Sequence, residues 1–122
     1  MPSVVVDMDA ATETLVAEKR NAKIKPSLIM IDNVLAGADS ELTFNDVFTT
    51  DNSIVAATGA AAAGAVRTER RLRINVSTLA CVSLRDELKD LIFLGLAQVV
   101  RTVVGVVTLD AGCHVTFAYD LD

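Results

Sequence analysis

Val103–Asp122, VVGVVTLDAGCHVTFAYDLD, decides the reading of the fold. From Cys113 onward it alternates, with Cys113, Val115, Phe117, Tyr119 and Leu121 on one side and His114, Thr116, Ala118, Asp120 and Asp122 on the other. Side chains leave a strand on opposite faces with period two, so this half reads as a strand with one buried face. Asp110-Ala111-Gly112 offers a turn before it. Val103 to Leu109 is apolar on both faces except at Thr108, and such a strand needs cover on both sides. The stretch therefore predicts a β-hairpin that closes a core and faces a partner.

Working back from it, Leu72, Ile74 and Val76 alternate with Arg71, Arg73, Asn75 and Ser77, which predicts a second strand. Glu41–Phe48 alternates with Leu42 and Phe44 inward until Asn45-Asp46, where a shift of phase predicts a bulge or turn. Ser27–Leu35 is a further strand, with Pro26 confined to an edge or a strand start. Ser83–Arg101 reads two ways. A polar turn at Arg85–Asp90 followed by a strand from Leu91 to Val100 is favoured, and a helix near 84–100 is the α+β alternative.

Residues 1–22 differ from the rest. Val4–Val6 suits a short strand, and Asp9–Arg20 suits a short helix with Asp9 as its N-cap. The apolar stripe of that helix is thin, so 1–22 is expected to be an arm that docks on something else. The expectation is an all-β, single-domain β-sandwich or jelly-roll-like domain over 23–122, preceded by this N-terminal arm.

A chain of 122 residues buries roughly two thirds of its unfolded surface, so a core stands without staples. A net charge of −5 argues against nucleic acid and anionic membrane as partners. No apolar run approaches the ~20 residues of a membrane-spanning helix, and MPSVVVDMDA lacks the pattern of a secretory signal. Cys81 and Cys113, without CxxC spacing, are expected as two buried thiols.

No motif declares a chemistry. His114 is the single histidine, and Cys113 beside it points to the opposite face, so a surface histidine is the expectation. Asp39, Glu41, Asp46 and Asp51 lack calcium-loop spacing and read as solvated loop acids. GAAAAG at Gly59–Gly64 lacks the Lys-Ser/Thr of a phosphate loop. Its small side chains suit either a surface segment or a close approach of two backbones. No catalytic residue, cofactor or metal is expected. Arg67, Arg70, Arg71 and Arg73 stand out, because guanidinium forks bind carboxylates in pairs. With Val103, Val104 and Val106 they form the candidate partner-binding set, suited to an acidic protein surface.

Three runs carry a resemblance: RLRINVS at Arg71–Ser77, DELKDLIFLGLAQVV at Asp86–Val100 and LDAGCHVTFAYDL at Leu109–Leu121. Over residues 24–122 the texture resembles the capsid decoration (cement) proteins of tailed bacteriophages. The resemblance implies a β-rich dimer or trimer on the outside of an icosahedral shell, assembled in the host cytoplasm, without an active site. A competing reading is a ligand-binding β-barrel, or an enzyme subunit with its site at an oligomer interface.

Overall fold

The computed structural model describes residues 2–19, 22–34, 39–49, 52–54, 61–63, 66–103 and 112–122. The strands are β1 (Ser3–Asp7), β2 (Thr12–Val16), β3 (Ile24–Asp32), β4 (Ser40–Thr49), β5 (Asn52–Ile54), β6 (Ala61–Ala63), β7 (Val66–Val76), β8 (Cys81–Leu84), β9 (Leu96–Val103) and β10 (His114–Leu121). Two four-stranded sheets result, β1-β10-β3-β8 (sheet A) and β2-β9-β4-β7 (sheet B), with β5-β6 as a separate ribbon. All pairings are antiparallel.

The pairing is nested. β4 pairs with β7, β3 with β8, β2 with β9 and β1 with β10, so these eight strands form one long ribbon folded about the connection from β4 to β7. Successive pairs fall alternately in sheets B and A, and the roll closes where β10 meets β3 and β9 meets β4. That wiring is a jelly roll, in agreement with the sandwich expected from alternation. Between the sheets lie Phe44, Phe93, Phe117, Ile29, Ile31, Leu42, Val99 and Val115, all fully buried. Phe93 meets the Phe117 ring edge-on at 6.1 Å between centroids, a favoured aromatic geometry.

Several expectations are corrected. Asp9–Arg20 forms no helix: Thr12–Val16 is a strand paired with β9, and Asp9 sits in the turn before it. Nor do residues 1–22 form an arm apart from the sandwich, since β1 and β2 each extend a sheet and bury Met8, Leu15 and Val16. Pairing with a long neighbour overrides a helix propensity this weak. β10 has β1 on one side and β3 on the other, which leaves it no open edge from His114 to Ala118 for the hairpin arm expected at Val103–Leu109; β9 lies in the opposite sheet. The Asp110–Gly112 turn and Val104–Leu109 fall wholly or mostly outside the described residues.

β9 begins at Leu96 and not Leu91. Asp86–Leu88 is a single 3₁₀ turn, within the expected polar turn, and there is no helix at 84–100. Phe93 makes one bridge to Ile24. β3 starts earlier than expected, with Pro26 beside the shift of register opposite Ala118 and Tyr119. β8 pairs only with Ile29–Asp32, so Pro26 faces no β8 partner that would need its missing donor. The face of β10 stays in phase through Phe117; beyond that bulge Tyr119 is half-buried and Leu121 exposed.

Removing residues 1–17 should prevent stable folding, because one edge strand of each sheet is lost; circular dichroism and thermal melting of the truncated chain check this. Phe117→Ala should cost about 3–5 kcal/mol in chemical denaturation, the usual loss for a large buried aromatic.

Candidate partner-binding surface

Alternation on β4 does not shift at Asn45-Asp46. Ser40, Leu42, Phe44 and Asp46 all face inward, and Asp46 is 0% exposed. The expected irregularity lies across the ladder instead: Phe44 opposes Leu72 and Asn45 opposes Arg70, leaving Arg71 as the extra residue of β7. The bulge swings Arg71 toward the carboxylate. Its Nε and Nη2 donate to Asp46 Oδ2 at 3.1 and 2.9 Å. Leu94 N donates to the same oxygen and Gly95 N to Oδ1, both at 2.9 Å. A Cβ on Gly95 would stand 2.1 Å from the Val47 carbonyl oxygen, so only glycine admits this approach. The Arg71 guanidinium also lies 5.6 Å above the Phe48 ring centre. Asp46 is therefore a structural acid of the sandwich and not a solvated loop acid.

Two other buried polar groups act similarly. Arg101 Nε donates to Ser40 Oγ at 3.0 Å and its Nη1 to the Met8 carbonyl at 2.8 Å, tying β9 to β4 and to the β1–β2 turn. Asn33 Nδ2 donates to the carbonyls of Val76 and Ser77, and its backbone carbonyl accepts from Leu79 N. That clamp holds the β7–β8 turn, in which Leu79 takes a φ of 66°.

The predicted set thus separates. Arg71 is committed to Asp46, and Arg67 donates to Glu69 at 2.8 Å, holding the glutamate below its usual carboxylate range. Arg70 and Arg73 stand exposed on the outer face of sheet B, Arg73 within 3.9 Å of Glu41. They end two cross-strand rows, Thr14-Gln98-Asn45-Arg70 and Thr12-Val100-Thr43-Arg73. Val103 is half-buried opposite Ser40; Val104 and Val106 lie outside the described residues. Of the predicted cluster, then, two guanidinium groups remain on one face for a partner.

The outer face of sheet A carries a row that sequence reading missed: Asp7, His114, Asp32 and Cys81 on four successive strands. No local spacing announces it, since only register brings these residues together. His114 is on the polar face, as expected, with Nδ1 2.6 Å from Asp7 Oδ1. Cys81 is exposed and Cys113 buried, so the pair of buried thiols is half corrected. Partial desolvation and the Asp32 carboxylate push the Cys81 thiol above its usual range, the wrong direction for a nucleophile. The next row, Val5-Thr116-Met30-Ser83, exposes Val5 and Met30.

At one end of sheet B a cleft of about 240 Å³ is lined by Asp39, Glu41, Asn75, Ser77 and Thr102 among others. Asp39 is engaged there, accepting from Thr78 N at 2.8 Å. Asp51 and half of Gly59–Gly64 fall outside the described residues, the other half being β6. Comparison with known proteins found no matching family model, no matching curated protein and no matching solved structure.

Asp46→Ala should destabilise the fold by about 3 kcal/mol, the lower end for removing one partner of a buried pair, while Arg70→Ala stays within about 0.5 kcal/mol. Urea denaturation of the two variants separates a structural acid from a surface arginine. Alkylation by iodoacetamide should be slow at Cys81 and faster after Asp32→Asn, because removing the carboxylate favours the thiolate. Cys113 should react only on unfolding.

Proposed function

We propose that the protein is a structural, non-enzymatic virion component that stabilises or decorates an icosahedral capsid as a homo-oligomer, a dimer or trimer. The observation that carries this reading is the use of its polar chemistry. Asp46, Arg71, Arg101 and Asn33 are engaged in joining strands and turns within the sandwich. Broad sheet faces remain outside. Exposed Arg70 and Arg73 give sheet B the charge to meet an acidic shell. Apolar side chains on sheet A give area to bury.

The ligand-binding alternative has less support. The cleft is below the roughly 300–1,000 Å³ usual for small-molecule pockets. Cys81, the exposed thiol, is held toward its protonated form.

Co-sedimentation with purified capsid shells tests the proposal. The chain should pellet with the shells, and Arg70→Glu with Arg73→Glu should weaken docking about tenfold or more, with a smaller effect at high salt. A chain that never associates with shells, but saturably binds a small molecule, overturns it.

A further inference from the structure

We infer that the open edge of β1 is a self-association surface, on which a second copy of this chain adds its own β1 about a twofold axis at Val5. This deepens the oligomeric part of the function proposed above and does not depend on the capsid part.

The four sheet edges are not alike. β7 carries four arginines and a bulge, β2 carries Glu13 and a shift of register, and β8 is four residues long. Charge, bulges and shortness are the usual guards against edge-to-edge pairing. β1, Ser-Val-Val-Val-Asp, has no bulge: its one charge, Asp7, sits at the very end, and its register with β10 is unbroken. Among the described residues no strand lies on its far side.

The backbone parity is set. The Pro2 carbonyl accepts from Tyr119 N at 3.0 Å, and Met8 N donates to the Cys113 carbonyl at 2.8 Å. Hydrogen-bonded positions on an antiparallel strand recur every second residue, so Val4 and Val6 also face β10. The N–H and C=O of Ser3, Val5 and Asp7 then point to the open edge. An antiparallel twofold through Val5 sets Val5 against the second copy's Val5 and Ser3 against the second copy's Asp7. Each of these outward donors and acceptors gains a partner, and no register shifted by two residues matches them all. The charges agree as well, since the two Asp7 carboxylates lie at opposite ends, each beside a serine, and like charges are not opposed. Val5, 63% exposed, is covered by its twin, and the rows through Thr116 and Met30 continue into one wider sheet.

Sedimentation of the full chain at micromolar concentration is the first measurement, with twice the 12.9 kDa chain mass expected. Val5→Lys should return the mass to that of one chain with an unchanged circular dichroism spectrum, because Val5 points to solvent and its N–H does not serve β10. The second measurement is covalent. Paired residues at a hydrogen-bonded antiparallel site have Cα atoms about 5.5 Å apart, within disulfide range. Val5→Cys in a Cys81→Ser background should therefore cross-link under mild oxidation, while Thr14→Cys on the β2 edge should not. A one-chain or three-chain mass for the unmodified protein overturns the inference, as does a dimer that survives Val5→Lys. If Val5→Lys fails to fold, absence of the Val5→Cys cross-link overturns it instead. A dimer that ignores capsid shells leaves this inference standing and removes the capsid reading alone.

Discussion

A carboxylate on the core side of a strand must be surrounded by donors, because the interior offers no water to replace them. Asp46 imposes that demand, and three departures from regular structure answer it. β7 carries one residue too many, which frees Arg71 to turn inward. The segment before β9 stays out of the ladder, so the amides of Leu94 and Gly95 remain available. Position 95 lacks a Cβ, which lets that amide pass the backbone of Val47 and Phe48. Each irregularity alone would weaken a sheet. Together they lock β4, β7 and the entry to β9 in one register.

The all-β class was legible wherever a strand had one wet face and one dry one. β10 and β7 show this, with Val115 and Phe117 against Thr116 and His114, and Ile74 and Val76 against Arg73 and Asn75. Legibility failed where alternation was short or interrupted by function in the core. Thr12–Val16 holds five residues, too few to outweigh the helix-like spacing of its acidic and basic neighbours. Asp46 read as a change of phase because a polar residue at an inward position imitates one. Cys113–Leu121 read as one arm of a hairpin because alternation reports a buried face and not which strands lie alongside. The arginine cluster was visible as a count, yet which arginine turned inward depended on a bulge that only the pairing partner creates.

The two outer faces differ in kind. Sheet B presents threonine, asparagine and glutamine in rows that end in Arg70 and Arg73, a surface made for exchangeable hydrogen bonds and charge. Sheet A presents Val5 and Met30 beneath a row of Asp7, His114, Asp32 and Cys81. The two layers thus offer outer faces of different chemistry.

The nested ribbon also governs when the molecule can form. β10 fills an interior place in sheet A, between β1 and β3, and supplies partners to the first strand of the chain. β1 has no partner in sheet A until β10, about a hundred residues further along the chain, has been made. Contacts this distant in sequence close slowly, so sheet A is completed late in folding. The waiting strand, Ser-Val-Val-Val-Asp, is a segment that other nascent chains can capture. Crowding among newly made copies is thus the hazard that this topology carries from its first moments.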